Sequence, residues 1–292
     1  MSKYQLKVSA KTKVLNFFRL LFKINPFSNL LLLLTQQSDS RILRKLVPPN
    51  YLYSKGKYKK VNRNGINYQL DISNVVDHSF YFNLEKPSYD SILPRLKSAN
   101  VILDIGGNIG TSALYYASIN PTAKILSFEP HPDTFEKAVE NIELNTFQNI
   151  ELINLGLGTQ QASLKLYEVD EYNPGMNRIL TEEANFPFKI IKVDVLDDVL
   201  FKKEIKKVDF IKIDVEGYEY AVLSGAKETL KSNPLLFIEV NDNSLKENKS
   251  SAKELVELLI TAGYSTFYRA DNGESISSTT HFNNCHFDLI AK

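Results

Sequence analysis

The sequence of 292 residues contains little cysteine and little histidine, with one Cys and four His residues. The single cysteine, Cys285, cannot form a disulfide within the chain, and no group of Cys and His residues has the spacing of a zinc site. We therefore expect no structural disulfide, no bound metal and a reducing, cytoplasmic environment. Cys285 itself is expected to be a small buried apolar side chain.

The sequence also lacks an apolar run suited to spanning a bilayer. Its most apolar stretch, residues 14–34, is interrupted by Arg19, Lys23 and Pro26, and no convincing signal-peptide cleavage pattern follows it. We find no internal repeat and no low-complexity segment. An apolar content of 43% is ample for the core of an α/β domain.

Acidic residues are almost absent from the first 60 positions, where 13 Lys and Arg residues accompany the single acid Asp39. This segment therefore carries a net charge of +12, whereas the rest of the chain carries −11, with 22 basic and 33 acidic residues. The asymmetry predicts a basic, partly helical appendage over residues 1–57, a lead-in over 58–99 and a main domain over 100–292.

Two interpretations of the basic appendage remain open. It is either an amphipathic helical subdomain packed on the main domain or on a second subunit of a homodimer, or a peripheral helix on an anionic membrane at the inner surface. In the second case Phe17, Phe18, Leu21 and Phe22 would point into the lipid. Nucleic-acid binding is not expected, because these aromatic residues lie on apolar stripes rather than among stacking platforms.

The most informative stretch is VILDIGGNIGTSALYYA, residues 101–117, which reads as a buried strand, a glycine-rich turn and a helix. The turn lacks the Gly-x-Gly-x-x-Gly spacing of dinucleotide sites, because Asn108 and Thr111 stand where the second and third glycines belong. The pattern that fits is acidic-x-Gly-x-x-x-Gly, formed by Asp104, Gly106 and Gly110. An acidic strand end suits a cofactor carrying a sulfonium and an ammonium, such as S-adenosylmethionine, better than a pyrophosphate.

A second strand, AKILSF, ends in Glu129, 25 residues after Asp104. An acid at about this separation binds the ribose hydroxyls in doubly wound nucleotide folds. Pro130 then ends the strand, a helix is expected over residues 133–145, and His131 is interpreted as a loop or capping residue.

The third motif is VDFIKIDVEGYE, a buried strand that ends in Asp214 and leads into a helix. Together DIGGNIG, SFEPHPDTF and IKIDVEGYE, followed by LSGA, resemble the FkbM-type family of S-adenosylmethionine-dependent methyltransferases. The resemblance covers residues 101–240, about half of the chain. The family usually has Ala where this chain has Gly107, which we expect to add flexibility and little else.

The resemblance implies a Rossmann-like class I methyltransferase fold of the α/β class, with a seven-stranded, mostly parallel sheet and helices on both faces. It implies S-adenosylmethionine as methyl donor and O-methylation of a glycan, sugar or natural-product acceptor. The expected cofactor-binding residues are those of the first two motifs: Asp104, Gly106, Gly107, Asn108, Gly110, Glu129 and Pro130.

The candidate catalytic residues follow the fourth and fifth strands of the predicted sheet. Asp214, Glu216 and Glu239 would lie at the carboxyl edge, where an acceptor hydroxyl needs a base, and Lys212 shares a strand face with Asp214. Glu219 is expected to be a solvated helix residue. Asp214, Glu216 and Glu239 could instead bind Mg²⁺ together with Asn241. We do not favour this alternative, because no ligand spacing supports it.

Two further segments are candidates for contacts with the acceptor. Tyr58 to Ile72 reads as a hairpin turning at Asn64-Gly65, and His78 and Tyr81 after it either line the acceptor opening or simply pack; we favour packing. A second hairpin, residues 163–168 with 188–193, flanks a long loop in which Asn177 and Arg178 would grip a polar acceptor or lie on an inert surface.

The end of the chain is expected to complete the sheet. Residues 251–262 read as an amphipathic helix that stops at Gly263, followed by a strand pair at 265–269 and 285–291. Asp197 and Asp198 begin an earlier helix and are interpreted as complements of its dipole.

Other functional classes remain open at this point. The first alternative is a non-catalytic scaffold with a methyltransferase fold, and the second is a methyltransferase that acts on a nitrogen or carboxyl acceptor. A nucleotide-dependent oxidoreductase or epimerase is disfavoured, because the dinucleotide spacing fails.

Overall fold

The structure is a computed structural model, and it describes residues 9–38, 40–84 and 92–292. The chain divides into two compact units, the first formed by residues 1–61 and 69–87 and the second by residues 62–68 and 88–292. The sequence of the lead-in also predicts a helix over residues 89–97, which falls partly outside the described residues; these show a helix from Leu93 to Ser98.

The first unit is helical, as predicted for the start of the chain. Its elements are helices α1 (Ala10–Arg19), α2 (Asn25–Gln37), α3 (Arg41–Leu46) and α4 (Val75–Tyr81), with 3-10 turns at Leu20–Lys23 and Asn50–Leu52. Ser9 begins α1 by accepting a hydrogen bond from the Thr12 backbone N–H at 3.1 Å, and Pro26 lies in the first turn of α2, where no N–H is needed.

Neither helix at the start of the chain is long and apolar enough to cross a membrane by itself, among the residues described. The segments Ala10–Lys23 and Asn25–Gln37 reach that length and composition only as a pair, and they are bent by 101°. The break between them falls at Ile24, directly before α2 begins at Asn25.

The predicted hairpin is present as strands β1 (Tyr58–Arg63) and β2 (Ile66–Asp71). Asn64 and Gly65 both have positive φ angles, 52° and 86°, as expected for the two-residue turn that matches the twist of a hairpin. His78 and Tyr81 are buried in the first unit, where the His78 ring contacts Phe82 and its Nε2 lies 2.7 Å from the Pro48 carbonyl oxygen. The packing interpretation of these two residues is therefore correct.

The second unit begins with α5 (Leu93–Ser98) and continues with alternating strands and helices. Its first part contains β3 (Val101–Ile105), α6 (Thr111–Ile119), β4 (Lys124–Phe128), α7 (Pro132–Glu143), β5 (Ile150–Ile153), β6 (Gly156–Gly158), β7 (Ala162–Tyr167), β8 (Arg178–Ile179) and β9 (Phe188–Val195). The second part contains α8 (Leu196–Lys202), β10 (Phe210–Ile213), α9 (Glu219–Ser224), α10 (Lys227–Leu230), β11 (Leu235–Asn241), α11 (Asp242–Glu247), α12 (Ala252–Thr261), β12 (Phe267–Arg269) and β13 (His286–Ala291).

Seven of these strands form one sheet, in the order β12-β13-β11-β10-β3-β4-β5. The strands from β11 to β5 pair in parallel, and β13 alone runs antiparallel to β11 and β12. The first strand of the sheet in chain order, β3, thus lies at its centre. The following strands, β4 and β5, extend the sheet to one edge, and the later strands form the other half. This is the predicted seven-stranded, mostly parallel α/β sheet of the Rossmann-like class I fold.

The two faces of the sheet carry separate apolar cores, because side chains alternate along each strand. Leu103 and Ile105 belong to the core that also contains residues of α8, α9 and α12, whereas Ile102 belongs to the core with residues of α5 and α6. Helices therefore cover both faces. By the same alternation Asp104 lies on the face of Ile102, so its carboxyl group is buried beneath that second core.

A smaller sheet of four strands, ordered β6-β9-β7-β8, holds the predicted second hairpin. β7 and β9 pair antiparallel, with Leu164 opposite Ile191, and a short strand that the sequence did not predict, β8, pairs with β7 so that Arg178 lies opposite Tyr167. The long loop is thus anchored at its middle by main-chain hydrogen bonds.

Two details differ from expectation. Cys285 is half-buried and lies one residue before β13, so it is not a fully buried member of the strand pair. Asp197 does begin α8, but its carboxylate accepts hydrogen bonds from the backbone N–H groups of Glu228 and Thr229, at 2.8 and 2.9 Å. Asp197 and Asp198 thus lie in the first turn of α8, as predicted, and Asp197 in addition caps α10.

Candidate active site

Three polar residues form a row across the centre of the large sheet. Ser127 of β4 lies opposite Asp104 of β3, which lies opposite Lys212 of β10. All three side chains are buried, on the face of the sheet that α5 and α6 cover. Burying polar side chains costs free energy unless they form hydrogen bonds or ion pairs. The stability of this row therefore depends on the contacts of these three residues.

Asp104 is the centre of the row and is fully buried. Its Oδ2 accepts a hydrogen bond from Ser127 Oγ at 3.0 Å, and its Oδ1 lies 3.6 Å from Lys212 Nζ, without a hydrogen bond among the described residues. Burial raises the pKa of the Asp104 carboxyl group, and Lys212 and Ser127 oppose that rise. This second oxygen is a buried acceptor next to the glycine-rich turn.

The turn has little room for side chains at its first two glycines. Gly106 has φ +81°, and a Cβ at this position would lie 1.8 Å from the Asp214 carbonyl oxygen. Gly107 has no such backbone requirement, but its Cβ would lie 2.1 Å from Ser127 Oγ. Asn108 and Gly110 adopt φ +48° and +84°. The absence of a side chain at Gly107 thus makes room for the Ser127–Asp104 hydrogen bond, a purpose beyond added flexibility.

Glu129 holds the turn from the neighbouring strand. Its Oε2 accepts from the Asn108 backbone N–H at 2.9 Å, and its Oε1 accepts from the His131 backbone N–H at 2.8 Å. Burial raises the pKa of Glu129 to about 7, against the effect of these two hydrogen bonds. A carboxylate oxygen can accept more than one hydrogen bond, so the same group can fix the turn and accept from a ligand. Pro130, the next residue, contributes its carbonyl oxygen to a hydrogen bond from Asn154 Nδ2.

His131 is more than a loop residue, because its ring is buried and bridges to the smaller sheet. Its Nε2 lies 3.1 Å from Glu168 Oε1 at the end of β7, while Nδ1 has no hydrogen-bond partner in the part of the chain described. This contact ties the start of α7 to the end of β7.

Lys212 connects the turn with the candidate catalytic acids. Its Nζ donates to the Gly106 carbonyl oxygen at 3.1 Å and lies 3.2 Å from Asp214 Oδ2, in addition to its contact with Asp104. Asp214 is about two-fifths exposed, so it is the member of this group that faces solvent. One buried lysine therefore contacts a buried carboxyl group and an accessible one.

The structure brings Asp214, Glu216 and Glu239 together, as predicted for the carboxyl edge of the sheet. One oxygen from each lies within 4.8 Å of the others. Burial and the neighbouring acids Glu239 and Asp214 raise the pKa of Glu216 to about 8, and burial and Asp214 raise that of Glu239 to about 7. The group therefore holds at least one proton near neutral pH and can exchange it with a bound molecule.

Arg178 and His286 partner two of these acids. Arg178 Nη2 lies 3.8 Å from Glu216 Oε2, and Arg178 Nη1 donates to Glu247 Oε2 at 3.2 Å. His286 Nε2 lies 3.0 Å from Glu239 Oε1. The Arg178 guanidinium is nearly buried, so in this structure it contacts Glu216 and Glu247 rather than solvent. The Oδ1 of the adjacent Asn177 is buried without a partner among the described residues.

Glu219 is not the solvated helix residue that the sequence suggested. It is 1% exposed, and its Oε1 accepts from the backbone N–H groups of Val215 at 3.1 Å and Gly217 at 3.0 Å. Burial raises its pKa to about 7. Gly217 has φ +101°, and a Cβ there would lie 2.4 Å from the Ser244 carbonyl oxygen. Glu219 thus fixes the loop that presents Asp214 and Glu216.

Two groups of residues have the composition to hold a metal ion, among the residues described. The first is Asp214, Glu216 and Glu239, and the second is His131, Asp133 and Glu168. Asn241, considered above as a fourth ligand of the first group, uses its side-chain oxygen to accept from the Asn243 and Ser244 backbone N–H groups and so begins α11.

Sequence reasoning missed Ser127, Glu219 and His286 as parts of the site. Ser127 had a usable signal, since it is a polar residue inside the otherwise apolar end of β4. His286 depended on the register of β13 with β11, in which Glu239 lies opposite Asp288, and no local pattern fixes that register.

Comparison with known proteins agrees with this geometry. Residues 104–266, more than half of the chain, match the FkbM methyltransferase domain family. Methyltransferase 1 of Beauveria bassiana is 34% identical over 143 residues, 42% of this chain and 57% of that protein. The hexuronic acid methyltransferase AglP of Haloferax volcanii is 28% identical over 175 residues, 60% of this chain and 67% of that protein. The 2-O-methyltransferase NoeI of Sinorhizobium fredii is 24% identical over 173 residues, 54% of this chain and 70% of that protein.

The alignments thus span 57% to 70% of the length of these relatives. The matched region begins at Asp104 and contains the turn, Glu129, Lys212 and the three acids at the carboxyl edge. The sheet order, the locked glycine-rich turn and the family match lead to one conclusion: the chain belongs to the FkbM methyltransferase family.

Proposed function

We propose that the protein transfers a methyl group from S-adenosylmethionine to a hydroxyl oxygen of a sugar, glycan or natural-product acceptor. The observation that carries this proposal is the glycine-rich turn, held by Glu129 on one side and by Lys212 on the other. Beside the turn lie a group of three acids and a buried carboxyl oxygen that has no hydrogen-bond partner among the described residues.

The residues around the turn fit S-adenosylmethionine by charge. Asp104, Glu129 and Asp214 are acidic, and the buried Lys212 is the cation placed among them. A ligand that carries an ammonium and a sulfonium complements this surplus of acid, whereas a pyrophosphate would meet like charge. Asp104 and the turn would hold the methionine end, and Glu129 would accept from the ribose hydroxyls.

S-adenosylmethionine supplies an electrophilic methyl group when it is bound. The protein must then align the acceptor oxygen and remove its proton, because a neutral alcohol is a poor nucleophile. Asp214 is accessible, and Glu216 and Glu239 lie within 4.8 Å of it with raised pKa values. A carboxylate of this group that lies beside the acceptor would take its proton as a general base.

Lys212 contacts the acid group from the side of the turn. Its contacts with Asp214 and with the Gly106 carbonyl oxygen tie the Asp214 carboxyl group to the turn. The Lys212 side chain is buried and charged in these pairs, so we assign it as a positioning residue rather than as a base.

The acceptor class rests on the relatives. AglP acts on hexuronic acid and NoeI is a 2-O-methyltransferase, which favours a sugar oxygen as acceptor for this chain. The experiment compares the glycans and small metabolites of cells with and without the gene by mass spectrometry. We expect the loss of one methyl group from one species, with the acceptor recovered as its unmethylated form.

Purified protein completes the test. The unmethylated species, incubated with S-adenosylmethionine and the protein, should regain the methyl group, and alkaline hydrolysis should leave it in place if it is an ether. A methyl group released by mild alkali would indicate a carboxyl acceptor instead. No methylation of any recovered species, by protein that binds the cofactor, would favour the scaffold alternative.

A further inference from the structure

The two helices at the start of the chain expose the side chains that most proteins bury. On α1 and the turn after it, Val14, Phe17, Phe18 and Leu21 lie at helical spacing along one stripe, and each is more than half exposed. Phe17 is 71% exposed. A contiguous apolar stripe of this kind indicates a surface that contacts an apolar partner.

The second helix, α2, also exposes apolar side chains. Its exposed side chains include Phe27, Leu30 and Leu33, whereas Ser28, Leu31 and Thr35 on its other face are buried. A helix that packs on a protein core and faces water has the opposite arrangement, with polar residues outside and apolar residues inside.

The buried polar residues are satisfied, so the arrangement is a stable one. Asn16, the buried residue of α1, donates from Nδ2 to the Tyr51 hydroxyl at 3.0 Å and accepts from Arg19 Nη1 at 2.9 Å. Thr35 Oγ1 donates to the Leu32 carbonyl oxygen at 3.0 Å. The buried polar side chains of α1 and α2 are therefore hydrogen-bonded, while the apolar stripe on these helices stays exposed.

The charge around this stripe is of one sign. The sequence has no acidic residue before Asp39, and Lys11 and Lys13 at the start of α1 and Arg41 at the start of α3 are exposed. Basic side chains beside exposed Phe and Leu are the composition of a helix that lies in the interface of an anionic bilayer.

We propose that α1 and α2 bind the surface of an anionic membrane, with their exposed Phe and Leu side chains in the lipid. The 101° bend between the two segments suits helices that lie along a surface, since a straight span would need one continuous helix. A symmetric dimer through the same face would set the +12 segment of one copy against that of the other, which like-charge repulsion opposes. The proposal concerns where the protein acts, and it is independent of the reaction.

The sequence contains no tryptophan, so a single introduced tryptophan reports on one position. We would prepare full-length Phe17→Trp and, as a matched control, Phe201→Trp, which replaces a residue 84% exposed in the second unit. Both are mixed with vesicles of phosphatidylcholine alone or with about 30% phosphatidylglycerol, roughly the anionic fraction at which surface charge attracts basic segments. We expect the tryptophan emission of Phe17→Trp to shift to the blue, and to be quenched by brominated lipid, with the anionic vesicles only.

Flotation of the vesicles measures binding without a label. Wild-type protein should float with anionic vesicles, and the double variant Phe17→Ser/Leu30→Ser should float at least about tenfold less, whereas Phe201→Ser should float like the wild type. Lys11→Glu/Lys13→Glu should lower binding by about tenfold or more at low salt, and raised salt should weaken wild-type binding.

Three outcomes would overturn the proposal. The first is no binding of wild-type protein to anionic vesicles, and the second is equal binding to neutral and anionic vesicles. The third is a wild-type dimer in light scattering that the Phe17→Ser/Leu30→Ser variant converts to a monomer, with no flotation of either, which would assign the face to a second copy. A circular dichroism spectrum and thermal transition like those of wild type show that each variant is folded, and failure of wild-type protein to bind S-adenosylhomocysteine would count against the proposed function alone.

Discussion

Gly107 and Ser127 provide the sharpest test of how the turn is built. In Gly107→Ala the new Cβ would lie 2.1 Å from Ser127 Oγ and 3.3 Å from Asp104 Oδ2. A carbon and an oxygen do not approach to 2.1 Å without a bond, so the Ser127 side chain must rotate. It then loses its 3.0 Å hydrogen bond to Asp104.

The cost follows from what Asp104 loses. Its Oδ1 already has no hydrogen bond among the described residues, so rotation of Ser127 leaves a buried carboxyl group supported by Lys212 alone. Such a hydrogen bond contributes about 1.5 to 3 kcal/mol, and the lower chain entropy of Ala in the unfolded state offsets up to about 1 kcal/mol. We expect Gly107→Ala to lower the free energy of unfolding by about 1 to 2 kcal/mol.

The double variant separates this account from a general intolerance of the turn. Ser127→Ala breaks the same hydrogen bond, and it also removes the atom that the new Cβ of Gly107→Ala would strike. Gly107→Ala/Ser127→Ala should therefore unfold in urea at nearly the same free energy as Ser127→Ala, a coupling of about 1 to 2 kcal/mol. The control Gly107→Ala/Ser118→Ala should be additive, because Ser118 Oγ donates to the Tyr115 carbonyl oxygen within its own helix. Additive costs in the Ser127 pair would refute the reasoning.

Further predictions concern the acid group and its loop. Asp214→Asn and Glu239→Gln should each lower kcat by about 10- to 1,000-fold, with cofactor affinity within about threefold of wild type. Unchanged turnover would exclude these acids as the general base. Because the pKa values of Glu216 and Glu239 are raised to about 8 and 7, kcat should rise between about pH 6 and pH 8.5, and a flat profile would contradict a carboxylate base. The folded-state pKa of Glu219 is above its unfolded value, so its stability contribution is complete at low pH and is lost as pH rises through about 7. The free energy of unfolding should therefore decrease between about pH 5 and pH 8, and in Glu219→Gln this decrease should be smaller by up to about 3 kcal/mol. An unchanged dependence of the free energy of unfolding on pH would contradict a raised pKa of buried Glu219.

Much of the sheet could be predicted from the sequence, because its strands are short apolar runs that end in turn residues. The segments around Asp104, Glu129 and Asp214 also follow a general rule, since the carboxyl ends of parallel strands meet at one edge. The structure accordingly brings Asp214, Glu216 and Glu239 to one place.

The contacts that organise the site were beyond reach, because they depend on register between distant strands. The Ser127–Asp104–Lys212 row exists only when β4, β3 and β10 align as they do, and no local pattern specifies that alignment. Glu219 was misjudged for a related reason. Its position in the first turn of a helix suggested exposure, but the tight loop around Gly217 turns its carboxyl group inward.

Binding of S-adenosylhomocysteine, measured by isothermal titration calorimetry, tests the central claim most directly. The account predicts binding to wild-type protein in the absence of an acceptor, and at least about tenfold weaker binding to Glu129→Ala, which loses the carboxylate that holds Asn108 and that we propose to bind the ribose. The control Glu151→Gln, on the edge strand β5, should bind like wild type. No heat from wild-type protein with S-adenosylhomocysteine, together with binding of NAD under the same conditions, would contradict the account.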